Sequence, residues 1–257
     1  MLTACASGGK TESTTELTIE QTAEETSVVG EAFYTEGLVF TLNGSEYSVT
    51  GYDGEAAHVV IPEVYNGLPV TSIGNWAFVD CKILESVEIP DSITSIGDYA
   101  FIECVNLASI TIPDSVKYIG SWAFGYCLGL ESIVIPDSVT HIADYAFYLC
   151  QYLTTVTVGE GVRYIGAYAF WACVRLESVT IPDTVTSVGD FAFYYCESLE
   201  SIKIPDSVTS IGKYAFANCT GIKTVYYSGT EAEWAEIEIG SDNDHLTNAE
   251  IVFSYEP

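Results

Sequence analysis

Apolar residues recur along this chain with two alternating spacings. In residues 199–219, Ile202 and Ile204 alternate with polar neighbours, Val208 and Ile211 come next at three residues apart, and Ala215, Phe216 and Cys219 close the unit. Strict alternation over Ser201–Ile204 predicts a half-buried strand. Pro205 ends it, because proline has no N–H to give a ladder. A second short extended piece turns Val208 and Ile211 inward, and Gly212 permits a turn. The last three apolar residues then share one ~100° arc of a helix of about two turns. Strand, turn and helix make one coil.

The pattern returns seven times at a period of 23 residues without an insertion, marked by Ala-Phe-x-x-Cys at Ala77-Phe78, Ala100-Phe101, Ala123-Phe124, Ala146-Phe147, Ala169-Phe170, Ala192-Phe193 and Ala215-Phe216. A unit this short cannot bury a core alone, so the coils must stack, and the predicted fold is an elongated α/β solenoid. Each copy supplies one cysteine: Cys81, Cys104, Cys127, Cys150, Cys173, Cys196 and Cys219. An odd number of thiols at equivalent buried positions argues for a ladder of free cysteines. It argues against disulfides, and against zinc, whose ligands must converge on one point. Free thiols in an exported protein survive where they are buried or kept in an anoxic place, so an anaerobic host is expected.

Written as LxSIxIPDSVTxIGxxAFxxC, the unit resembles the signature of the BspA-type (Treponema-type) leucine-rich repeats, LxxVxIPxxVTxIGxxAFxxC, over residues 59–227. The resemblance implies a right-handed leucine-rich repeat solenoid of seven coils, with the first strands on the concave side and short helices on the convex side. It also implies a bacterial surface protein, an adhesin in some members. Two departures stand out: Val158-Gly159-Glu160-Gly161 replaces the Ile-Pro-Asp-Ser of other coils, and Ala143 replaces the glycine of the Ile-Gly turn.

Both ends of a solenoid need lids. The alternating run Leu38, Phe40, Leu42, then Asn43-Gly44, then Tyr47 and Val49 predicts a hairpin with a tight turn. The first coil carries an insertion, Tyr65-Asn66-Gly67-Leu68-Pro69. At the other end Thr230-Glu231-Ala232-Glu233 has the capping-box pattern of a short helix, and Ile251-Val252-Phe253 has the pattern of a last strand. The expected order is a lipobox remnant over 1–5, a disordered tether over 6–30, an N-terminal cap over 31–58, the solenoid over 59–227 and a C-terminal cap over 228–257.

Charge narrows the partners. The net charge is −28 and the pI about 4.1. Such a surface repels nucleic acid and anionic lipid, and keeps a protein soluble and monomeric. Residues 228–257 alone hold eight acids and no Lys or Arg. Leu2-Thr3-Ala4-Cys5 resembles a bacterial lipobox, which implies a lipid on Cys5 as the membrane attachment; the charged and hydrophobic leader of such a signal would precede it. The Ser-, Thr- and Glu-rich residues after Cys5 bury too little surface to fold.

No motif for catalysis is present. The three histidines, His58, His141 and His245, have no repeated partners, and GxSxG, HExxH, a phosphate-cradling glycine loop and CxxC do not occur. Asp242-Asn243-Asp244 lacks the further oxygen ligands of a calcium loop and is expected to be a solvated turn. No catalytic residue, metal or cofactor is expected.

Binding is left to three surfaces. An aromatic residue precedes every Ala-Phe: Trp76, Tyr99, Trp122, Tyr145, Tyr168, Phe191 and Tyr214. Phased as a helix, the pairs Tyr145/Tyr148, Tyr168/Trp171 and Phe191/Tyr194 make one convex aromatic patch, either an interaction surface or a wall of rings stacked coil on coil. The first-strand face is mostly Ser and Thr, with variation at Glu88, Thr111, Val134, Thr157, Thr180, Lys203 and Tyr226. The second strand adds Lys117-Tyr118, His141 and Arg163-Tyr164 on neighbouring coils, a basic and aromatic cluster on an acidic molecule. The function expected is a non-enzymatic, lipid-anchored surface module that binds a host or bacterial protein. The alternatives are glycan binding, with rings stacked on sugar faces, and a purely architectural role in the envelope.

Overall fold

The computed structural model describes residues 34–255. The chain winds into a solenoid in which each coil contributes two short strands to two parallel ladders. First strands run from His58–Val60 through Ser132–Ile135, Thr155–Val158, Ser178–Thr180, Ser201–Ile204 and Thr224–Tyr227 to Glu250–Val252. Ser132 pairs with Thr155, and Thr155 with Ser178, so the 23-residue period is the ladder register. Second strands stack likewise from Leu68–Ile73 through His141–Ile142, Tyr164–Ile165, Ser187–Val188 and Ser210–Ile211 to Glu238–Ile239. The five-residue insertion in the first coil folds back as its own hairpin, Val64–Tyr65 against Leu68 and Pro69, turning at Asn66 and Gly67 with positive φ at both.

The alternating apolar residues face inward as the pattern requires. In Thr155–Val158 the threonines are exposed and the valines buried. Phenylalanines fill the axis: Phe78, Phe101, Phe124, Phe147, Phe170, Phe193 and Phe216 are fully buried, each ring stacked on the next at 5.0–5.3 Å. Beside them runs the cysteine ladder, buried throughout. From Cys104 on, each thiol donates to the carbonyl of the phenylalanine one coil back, as Cys104 Sγ does to Phe78 O at 3.0 Å and Cys219 Sγ to Phe193 O at 3.0 Å.

The convex element differs from expectation. It is a chain of tight turns, and the described α-helices, Glu231–Trp234 and Asp244–Thr247, both lie after the last Ala-Phe-x-x-Cys unit. Within a coil, alternate N–H groups close four-residue turns: Ala77 to Gly74 O, Val79 to Trp76 O and Cys81 to Phe78 O. The groups between them point the other way and bond to the next coil: Trp76 N–H to Asp98 O, Phe78 N–H to Ala100 O and Asp80 N–H to Ile102 O. This needs left-handed residues, and each coil has two, the aromatic before Ala-Phe and the residue before Cys, such as Trp76 (φ 63°) and Asp80 (φ 57°). Each costs about 1–2 kcal/mol in a non-glycine residue, which the inter-coil bonds and ring stacking offset. An α-helix would direct every N–H along its own axis and leave none for the neighbour.

The Ile-Gly glycines are explained by the stacking distance. A Cβ on Gly120 would lie 2.5 Å from Asp98 N, and one on Gly189 would lie 2.6 Å from Ala167 N. Each of these glycines also donates to the isoleucine or valine carbonyl one coil back, as Gly120 does to Ile96 O at 2.9 Å. Ala143 carries the methyl that the others lack. At that junction the second ladder stops between Tyr118–Ile119 and His141–Ile142, and the first stops between Ser109–Ile110 and Ser132–Ile135. The Trp122 N–H to Asp144 O bond across it is 3.3 Å, the longest of its row.

At the N-terminal end the hairpin Leu38–Asn43 and Glu46–Tyr52 adds to the second ladder, and Tyr52 packs on Phe78 at 5.6 Å. At the other end Thr230 and Glu233 form the capping box. The role of Asn243 corrects the reading of 242–244 as a solvated turn, for it is only 3% exposed. Its Oδ1 accepts the Phe216 N–H at 2.9 Å, the bond that an alanine carbonyl of a further coil would accept, and its Nδ2 donates to Gly212 O and Gly240 O. One side chain thus stands in for the backbone of the missing coil. Cys5 and residues 1–33 lie outside the described residues.

This packing can be tested at both the cap and the thiol ladder. A carboxylate cannot donate to Gly212 O or Gly240 O, so Asn243→Asp is expected to lower stability by about 2–3 kcal/mol, read as a shift in urea midpoint; a midpoint within error of the parent refutes the capping role. Burial raises the thiol pKa of Cys127, Cys150, Cys173, Cys196 and Cys219, to about 12 for Cys219. The folded chain therefore holds thiol protons that the unfolded chain loses above pH ~8.5. Stability is expected to be full below that pH and to fall as pH rises towards 12, with a shallower slope in Cys173→Ala. A slope unchanged by that substitution contradicts the assignment.

Candidate functional site

Along the outward row of the second ladder most coils present Thr-Ser, as at Thr94-Ser95, Thr186-Ser187 and Thr209-Ser210. Three consecutive coils depart from it with Lys117-Tyr118, Thr140-His141 and Arg163-Tyr164. The register places His141 directly against Tyr164, then Ser187, Ser210 and Glu238. Tyr118 meets His141 edge-on with ring centroids 5.9 Å apart. The five residues singled out in the sequence therefore form one ridge across three coils, with Tyr118 and Tyr164 each 37% exposed.

Neighbouring groups anchor the ridge. The Tyr118 hydroxyl donates to Asp98 Oδ1 at 3.0 Å, and His141 Nδ1 lies 3.2 Å from Thr140 Oγ1. Partial burial, then the bond to Asp98, holds the Tyr118 phenol above its ordinary pKa. The Tyr164 phenol is raised by burial and then by Asp144 and Asp190. Cations are the scarce resource of this chain. Lys82, Lys203 and Lys223 pair with Asp80, Asp183 and Glu200, and Arg175 lies over the Tyr152 ring at 4.2 Å. Among the described residues Lys117, Arg163 and Lys213 have no such pair, and all three border this face.

Beyond the ridge the row drops to serine. A shallow groove of about 570 Å³ opens there, walled by Tyr164 and Glu238, floored by Ser187 and Ser210, and edged by Asp190 and Lys213. Sequence reasoning misses it, since two serines among many are silent; the available signal is Tyr164 and Glu238 bracketing them at ladder spacing.

The convex aromatic rows come together as one spine. Trp76, Tyr99, Trp122, Tyr145, Tyr168, Phe191 and Tyr214 stack nearly parallel, Tyr145 on Tyr168 at 4.6 Å and Tyr168 on Phe191 at 4.7 Å. Tyr148, Trp171 and Tyr194 form a second, shorter stack beside it, at 4.6 and 5.9 Å. Inside both stacks each ring face is covered by the next ring, so edges are what remain for a ligand. The helical phasing that suggests the patch is incorrect; it is the left-handed backbone at each aromatic that projects the rings into line. On the first-strand face Val134 is exposed, Lys203 is paired with Asp183, and Tyr226 packs on Tyr255 at 4.6 Å. Among the described residues no group of three or more His, Cys, Asp or Glu side chains converges as a metal site, and no helix is long and apolar enough to cross a membrane.

This architecture has known counterparts. The sequence profile of the BspA type leucine rich repeat region matches in six copies, over residues 59–173 and 119–237. A leucine rich repeat protein of T. pallidum is similar at 31% identity and a TM-score of 0.69, over 75% of this chain and 91% of that one. A leucine rich cell surface protein of Faecalibacterium prausnitzii is similar at 38% identity and a TM-score of 0.67, over 79% of this chain and 56% of that one. No curated protein matches the chain.

The stacked spine yields its own prediction. Tyr168→Ala removes a ring with neighbours on both faces and is expected to lower stability by about 2 kcal/mol, measured by urea denaturation. An unchanged midpoint would leave the spine without a structural role.

Proposed function

The chain belongs to the BspA-type leucine-rich repeat family, and on that premise we propose that it is a non-catalytic binding module of the bacterial cell surface, attached through a lipid on Cys5, which holds a protein ligand on its second-strand face. The observation that carries this reading is the ridge of Lys117, Tyr118, His141, Arg163 and Tyr164. In a solenoid, residues that repeat are accounted for by stacking, whereas these depart from the repeat on three successive coils and are not required by it. Their types also fit: tyrosine and arginine are enriched among the residues that dominate protein interfaces. The covered ring faces of the spine favour protein over glycan, since a sugar stacks on a ring face. The description of the Faecalibacterium relative as a cell surface protein supports the location.

The test exploits the repeat. Lys117→Thr, Tyr118→Ser, His141→Ser, Arg163→Thr and Tyr164→Ser together give these coils the Thr-Ser of their neighbours, a sequence that the fold already accepts. The parent protein, screened on arrays of host and bacterial surface proteins and of glycans, is expected to bind a protein, and the variant to bind it at least about tenfold more weakly with an unchanged circular dichroism spectrum. Equal binding by parent and variant would refute the site, a glycan as sole ligand would replace the protein reading, and a chain that binds nothing would be architectural.

A further inference from the structure

The groove beside the ridge has a chemistry of its own. Tyr164 and Tyr118 have different neighbours on the succeeding coil: the ring of His141 flanks Tyr118, but Ser187 is the register neighbour of Tyr164, and among the described residues no aromatic ring packs on it. Tyr164 leans over the next coil, its hydroxyl 2.8 Å from where a Cβ on Gly189 would stand. Beyond it the floor is two serines wide, and Glu238 closes the far end. With coils about 4.8 Å apart, the trough from Tyr164 to Glu238 is about 14 Å long. Asp190 Oδ1 accepts the Lys213 N–H at 2.7 Å, which leaves its other oxygen uncommitted by that bond.

We infer that this groove is a subsite for a basic side chain, arginine or lysine, of the polypeptide that the second-strand face holds. The inference rests on the reading of that face as the binding surface. A guanidinium or ammonium brings only hydrogen-bond donors, and the groove offers acceptors along its length: the Ser187 and Ser210 hydroxyls and the Asp190 and Glu238 carboxylates. The uncovered Tyr164 ring supplies the π face over which a cation is held. Asp144 and Asp190 help to raise the Tyr164 phenol, in keeping with a negative potential at that wall. Lys213 is the single opposing charge on the lining, and the net charge of −28 draws a cationic partner towards the molecule from a distance. An acidic ligand would meet two carboxylates for one ammonium.

The experiment uses the full chain and a fluorescein-labelled Arg-Gly-Arg-Gly-Arg peptide, with its glutamate counterpart as control, monitored by anisotropy at physiological salt. Asp190→Asn with Glu238→Gln is expected to weaken arginine-peptide binding about tenfold, Tyr164→Ser to weaken it as well, and Lys213→Ser to strengthen it. The charge-matched pair Glu177→Gln with Glu200→Gln, on the first-strand side, is expected to change it less than about twofold, since screening confines the effect of distant charges. Equal losses from both pairs would mean that the peptide senses only the overall acidity, and would overturn the subsite; so would absence of binding to the parent chain. Lys117→Thr with Tyr118→Ser leaves the groove intact and separates the two readings. If it weakens the array ligand while the groove variants do not, the face stands and the subsite falls. If neither set affects that ligand, the face itself is wrong and the subsite falls with it.

Discussion

The close stacking of coils along a column of phenylalanines sets the terms for every other residue. Rings 5.0–5.3 Å apart bring successive backbones to the separation of strands in a sheet. At that distance the N–H groups facing the neighbour must find its carbonyls, because no water reaches between the coils to satisfy them. The two ladders meet this need on two sides. On the third side the chain places two left-handed residues in each coil, four positions apart, and every second N–H leaves the coil. The same closeness excludes a side chain at the Ile-Gly position, aligns the cysteine thiols under the phenylalanine carbonyls, and obliges the last coil to be finished by Asn243.

Because stacking explains what repeats, it also separates structure from function. The aromatic spine is the clearest case: seven rings in a row suggest a binding surface, yet they cover one another's faces much as the inner phenylalanines do. The ridge at Tyr118, His141 and Tyr164 has no such role in the stack. It spans the one junction at which both ladders are interrupted, where Ala143 stands in place of the Ile-Gly glycine. The proposed binding face therefore lies across a junction that neither ladder bridges.

Much of this is legible from spacing. The period, the inward valines and isoleucines, the buried thiols and the hairpin of residues 38–52 all derive from alternation and from proline, glycine and Asn-Gly signals. The convex segment misleads because Ala, Phe and Cys at 3.6-residue spacing satisfy a helix as well as they satisfy a row of turns; the two differ in φ at Trp76 and Asp80, and tryptophan and aspartate carry no strong local preference for the left-handed region. Asn243 misleads for a related reason. Asp-Asn-Asp is an ordinary turn sequence, and only the end of the stack turns its amide into a surrogate backbone.

Periodicity by itself determined the solenoid, its register and its core, because a unit of 23 residues without its own core can be stable only against a copy of itself. It also located the residues that break the repeat, from which the proposed binding face is built. What only the tertiary structure decided is how those residues meet. Tyr118, His141 and Tyr164 are separated along the chain by a whole coil each and become adjacent only when the coils stack. The groove beside them arises from the absence of bulk at Ser187 and Ser210 between two large walls. That is a property of neighbouring coils in space, and no single repeat contains it.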